Sequence, residues 1–167
     1  VWITVHAAKE ASQAVDIRLV LEPTDQPVSL KGRGGKSYGG LTMRFQSLPR
    51  KDVTITVPSG RTTDDLKMTS LAWVDYSAKY PGRDRPSGAT VMIHPTHPNY
   101  PPEWLTRHYG PQCVGWPGVE ARTLQPGKPV QLDYRIYLHR GLPELGQLKA
   151  AYKEYSAVPT TPQAKMP

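Results

Sequence analysis

The segment from Ile93 to Gly110 concentrates side chains able to do chemistry. His94, His97, Asn99, Trp104, Arg107, His108 and Tyr109 lie within it, braced by four prolines between positions 95 and 102. Proline narrows the conformations of the unfolded chain, so such a stiff, extended loop loses little entropy on folding. His94, Asn99, Trp104, Arg107 and Tyr109 are therefore expected to form a ligand-binding set. In it Arg107 would hold an anionic or hydroxyl-rich group, and Trp104 would stack on a sugar face. An acid–base alternative gives proton transfer to His94 or His97, with Arg107 orienting a substrate. His94, His97 and His108 also suggest metal ligands, with His6 and His139 as remote additions, but the residues between them are not helical and the one near carboxylate is Glu103.

Other signatures of catalysis are weak. Asp64, Asp65 and Asp75 show no spacing that fixes an acid–base pair. No serine sits in a nucleophile-elbow pattern, and no helix start follows Cys113, which suits a small buried apolar role. The glycine-rich stretch Gly32–Ser37 fails the phosphate-loop spacing, because Leu30 stands where the first glycine is required. The expectation is no catalytic residue, no metal and no cofactor, with the chain leaning away from an enzyme.

The elements that would carry this loop read as strands. Val15, Ile17, Leu19 and Leu21 alternate with polar residues, as do Leu41, Met43 and Phe45, and Val53, Ile55 and Val57. The longest alternation runs from Val130 through Leu132, Tyr134 and Ile136 to Leu138. With the opening segment, 71–76 and 89–93, this makes about seven strands, separated by Pro- and Gly-rich turns. The pattern predicts an all-β fold, an antiparallel β-sandwich over residues 1–142. Pro143 and Glu144 then open an amphipathic helix at 143–156, with Leu145, Leu148, Tyr152 and Tyr155 on one stripe. Residues 157–167 follow as a Pro-rich extended tail, held either by its own domain or by a partner.

Composition narrows the class further. The chain has 167 residues, with 18 Pro and 14 Gly, which suits strands and turns over helices. Nine Tyr and four Trp against one Phe favour half-wet contact surfaces. The net charge of +7 attracts anions, but the basic groups are scattered and no nucleic-acid-binding motif accompanies them. No apolar run reaches the ~18 residues of a membrane span. The first residues, Val1–His6, already read as a strand, and a preceding segment is expected.

Three blocks, in order, resemble a known family. They are Lys36–Arg44, with its Gly39-Gly40-Leu41-Thr42-Met43-Arg44 strand; Trp73-Val74-Asp75-Tyr76-Ser77 followed by Gly88-Ala89-Thr90-Val91; and His94-Pro95 with Pro98-Asn99, Trp104, Arg107, Tyr109 and Gly110. Spread over roughly residues 15–140, they resemble the bacterial domains labelled "methane oxygenase PmoA-like", in their later part. The resemblance implies a β-sandwich distantly like sugar-mutarotase folds, exported from the cell.

Two functional readings follow. The favoured one is a non-catalytic structural or binding module, an accessory subunit of a larger extracytoplasmic assembly, periplasmic or secreted. It would associate peripherally with a membrane at most, and meet its protein partners through Tyr152, Tyr155, Pro159 and Pro162. The alternative is a carbohydrate-binding or carbohydrate-processing domain using the 93–110 loop. No nucleic acid is expected among the partners.

Overall fold

A computed structural model of the chain describes residues 1–160. The architecture is the expected antiparallel β-sandwich with one C-terminal helix. Thirteen strands are formed among the described residues. The larger sheet holds seven of them in the order β1 (Trp2–Val5), β2 (Ser12–Leu21), β13 (Val130–Arg140), β9 (Ser87–Ile93), β8 (Trp73–Ala78), β5 (Val53–Val57) and β6 (Gly60–Thr62). A four-stranded sheet faces it in the order β4 (Thr42–Arg44), β11 (Pro111–Val114), β10 (Glu103–Thr106) and β7 (Leu66–Ser70). A two-stranded ribbon, β3 (Val28–Leu30) with β12 (Arg122–Leu124), completes the set.

Period-two alternation places the core. Ile55, Val74, Tyr76, Val91, Ile93, Leu132 and Tyr134 point inward from the large sheet and meet Trp104, Val114 and Trp116. The opposite face of that sheet is covered in part by α1 (Leu145–Ser156), whose Leu148 and Tyr155 pack on Trp73 and Met92. Pro143 lies just before the helix rather than in its first turn. Glu144 is the N-cap, and a reciprocal capping box with Gln147 satisfies two of the free helix-end donors.

The strands absent from the sequence reading are short. β10 runs through the middle of the expected 93–110 loop and turns Trp104 into the core, fully buried, with its indole N–H donating to the Leu71 carbonyl at 2.8 Å. The stretch is thus two loops around a strand, which divides its polar residues between different faces.

Candidate functional site

The 93–110 segment does not gather into one pocket. His94, 5 % exposed, accepts the Thr96 backbone N–H at Nδ1, so its Nε2–H donates to the Val158 carbonyl at 3.0 Å. His97 likewise accepts the Asn99 N–H at Nδ1 and places Nε2 3.4 Å from the Tyr134 hydroxyl. Burial, with the nearby Arg122 charge, pushes the His97 pKa down to about 4, so the ring is neutral near neutral pH. Asn99 points another way: its amide donates to the Pro117 carbonyl, and its oxygen accepts from Arg122. Arg107 reaches the Leu66 carbonyl at 2.7 Å, while His108 binds Asp65 through both its backbone N–H and Nδ1. Burial works to raise the Asp65 pKa, but the His108 hydrogen bonds outweigh it and hold the carboxyl below its ordinary range. Tyr109 stands exposed at the turn. Each residue of the expected ligand set except Tyr109 is engaged within the fold, and His94, Asn99 and Arg107 open onto no common cleft.

The chemistry-bearing cluster that does form lies on the outer face of the large sheet. Arg135 and Asp16 face each other across β13 and β2 in a bidentate pair at 2.6 and 2.8 Å, and His6 joins Asp16 at 2.7 Å. One rung along, Arg18 meets Asp133 at 2.6 Å. The Asp16 pKa is lowered on balance, burial working upward and the Arg135 and His6 bonds working down more strongly. Farther along β13, His139 donates to Asp75 at 2.8 Å and faces the Gly141 carbonyl with its other nitrogen. Asp75 is wholly buried and also accepts from Ser77 and Thr90. A recess of about 230 Å³ opens among Trp2, Asp16, Arg18, His94, Asp133 and Tyr155. The Arg135 guanidinium lies 4.7 Å from the centre of the Tyr155 ring, whose buried hydroxyl has no hydrogen-bond partner among the described residues. These paired charges brace the sheet where α1 covers it. Each carboxylate of the network accepts from at least one donor within the fold. Among the described residues no three His, Cys, Asp or Glu side chains converge as metal ligands would.

The residues expected to meet partners are placed differently. Tyr155 is buried against the domain's own sheet. The Tyr152 hydroxyl bonds the Ile93 carbonyl at 3.2 Å and the Tyr100 hydroxyl at 2.6 Å. Pro159 lines the recess beside Trp2, and Pro162 lies outside the described residues.

An uncovered surface appears instead at the β1 margin. Ile3 and Val5 sit opposite Ile17 and Val15, which puts them on the inner face of the large sheet. Yet each is 63 % exposed, and Val15, Ile17, Leu19 and Leu21 are only half-buried. The four-stranded sheet does not shield this margin. The sequence carried a signal for it in the apolar alternation of Val1, Ile3 and Val5, but alternation marks a face without saying what covers it.

No curated protein and no solved structure matches this chain. A family model does, described as a family of unknown function (DUF6807), across residues 2–153. That match corrects the resemblance drawn from the three sequence blocks: the model shown is not that of the PmoA-like domains, and the sugar and export associations lose that footing. With the match spanning nearly the whole chain, the protein belongs to the DUF6807 family.

Proposed function

We propose that this chain is a non-catalytic binding module that docks, as an accessory subunit, onto another protein through the β1 margin. The observation that carries the reading is the pair Ile3 and Val5, each 63 % exposed on the inner face of an edge strand. Exposed aliphatic edges invite pairing with another strand, and folded proteins ordinarily blunt or cover them. The fitting occupant is a chain that adds a strand to the free edge of β1 and lays apolar side chains over Ile3, Val5, Val15 and Ile17. The spent state of His94, His97, Arg107 and His108 supports binding over catalysis. The reading keeps the extracytoplasmic setting, where the single thiol, Cys113, is shielded by burial; cell fractionation tests that part.

The docking is tested by native purification of the wild type and of the Ile3→Lys/Val5→Lys variant, with cross-linking to map contacts. Ile3 and Val5 are mostly solvated, so the variant should fold with a stability change within about 1 kcal/mol. It should lose the co-purifying chain, and wild-type cross-links should fall on β1. A wild-type monomer, an undiminished partner in the variant, or cross-links placing the cover within the same polypeptide would each overturn the proposal.

A further inference from the structure

At one end of the sandwich, beside the end of β13 that carries His139 and Arg140, the two sheets part. A cleft of about 400 Å³ opens there, with Met43, Phe45 and Leu138 on its apolar walls. Phe45 is fixed by stacking on Tyr76 at 4.3 Å, and Leu138 is 38 % exposed although it lies on the core-facing side of β13. A second cleft of about 870 Å³ adjoins the first and shares Tyr80 and Arg140 with it. Its rim carries Arg83 and Arg85.

The charge at this rim is unbalanced. Arg83, Arg85 and Arg140 form no ion pair or side-chain hydrogen bond among the described residues, whereas the chain's more sheltered arginines, Arg107, Arg122 and Arg135, all do. Lys9 adds a fourth positive charge, and Glu10 and Asp84 set two negative charges against these, leaving a net excess of two. The backbone at Arg140 is anchored to both cleft walls. Its N–H donates to the Ala11 carbonyl and the next N–H, of Gly141, to the Pro86 carbonyl, each at 2.8 Å, tying both cleft walls to the end of β13. Tyr80 makes no side-chain hydrogen bond among the described residues, and burial raises its pKa, so it stands between apolar wall and cationic rim as a neutral phenol donor.

We propose that this cleft binds a small amphipathic oxyanion, an aryl or short alkyl body carrying a carboxylate or phosphate head. The body would fill the space between Met43, Phe45 and Leu138, and the head would meet the guanidinium groups of Arg140, Arg83 and Arg85 with the Tyr80 hydroxyl. Arginine forks match planar carboxylates and phosphates bidentately, and a mostly apolar cleft of this size with few convergent polar groups is the usual form of a small-molecule site. The inference is independent of docking at β1, since none of its cleft residues belongs to that strand.

Calorimetric titration of the purified chain with four probes tests it: 4-phenylbutyrate, 4-phenylbutyl phosphate, 4-phenylbutanol and inorganic phosphate. At least one of the two amphipathic anions should bind saturably at one site, and which binds tighter identifies the head group. The neutral alcohol and inorganic phosphate should each bind at least about tenfold more weakly, because each lacks one half of the recognition. Arg140→Ala and the Arg83→Ala/Arg85→Ala pair should each weaken the anion by about tenfold or more, and Leu138→Asp should weaken it through the apolar wall. Absence of binding by both anions at millimolar concentration would overturn the proposal. So would equal binding of the alcohol, or inorganic phosphate binding as tightly as the phenylbutyl phosphate.

Discussion

Lowering the pH from 7 toward 4 should destabilise this protein through one buried imidazole. His97 is 3 % exposed, and its Nδ1 is occupied as an acceptor by the Asn99 N–H. Desolvation first, and the Arg122 charge second, drop its pKa from the ordinary 6.5 to about 4. In the unfolded chain the ring takes a proton near 6.5, which the folded form refuses until about 4. Between those values the unfolded state binds more protons, so stability falls as pH falls, by ~1.4 kcal/mol per unit. The full window removes about 3 kcal/mol, a sizeable share of the ~5–15 kcal/mol typical of a domain. Above pH 6.5 this contribution is constant. Asp16 and Asp65, whose folded pKa values lie below the ordinary 3.8, withdraw their contributions only as pH falls through those lower values, beneath the His97 window. The assay is urea unfolding followed by tryptophan fluorescence at pH 7, 6, 5 and 4.5, for wild type and His97→Asn. The asparagine oxygen can still accept the Asn99 N–H but does not titrate. The variant should be less stable at pH 7, having lost its ring contact with Tyr134, and should show a flatter slope below 6.5. Equal slopes for the two proteins would refute the reasoning.

Two further perturbations test the frame around the outer-face network. His139→Ala removes the imidazole that hydrogen-bonds the wholly buried Asp75 and leaves its carboxyl group with only the Ser77 and Thr90 hydroxyls, so unfolding free energy should fall by about 3 kcal/mol, read from urea midpoints. Gly88→Ala would set a Cβ 2.3 Å from the Tyr76 carbonyl oxygen, and because that neighbour is backbone in the next strand it has no easy retreat. This variant should show a large loss of melting temperature or fail to accumulate as folded protein, whereas a near-wild-type melt would show that β8 and β9 can separate locally.

The long alternating strands were plain in the sequence because each has one dry face: β13 and β2 read directly from Val130–Leu138 and Val15–Leu21. The short ones were not. β10 has four residues amid prolines, and nothing in Pro-Pro-Glu-Trp-Leu-Thr announces that Trp104 turns into the core. Proline density argues for a restricted segment but carries no direction, so His94, Asn99 and Arg107 were expected together and instead bind separate partners. The polar side of β13 is a different case. Asp133, Arg135 and His139 alternate with the apolar residues of the strand, and they are nearly buried all the same, because partners on β2 and β8 and the cover of α1 close over them. A sign-matched comparison of strands, Asp16 and Arg18 against Arg135 and Asp133, was the available clue. The stripe of Leu145, Leu148, Tyr152 and Tyr155 was expected to cover a sheet face of this domain or of a partner, and the domain's own sheet receives it.

The pairing of β2 with β13 also bears on how the chain is made. The Arg18–Asp133 bridge spans 115 positions of sequence, and among the described strands β1 pairs with β2 alone. At ~5–20 residues per second of synthesis, β2 waits on the order of ten seconds for its central partner to leave the ribosome. Through that interval the β1–β2 hairpin presents two raw edges and aliphatic side chains on its future inner face. Protection of the nascent chain should then affect yield in addition to final stability. Slower translation between codons 22 and 129 should lengthen the exposure, and a holdase engaging the first two strands should shorten it.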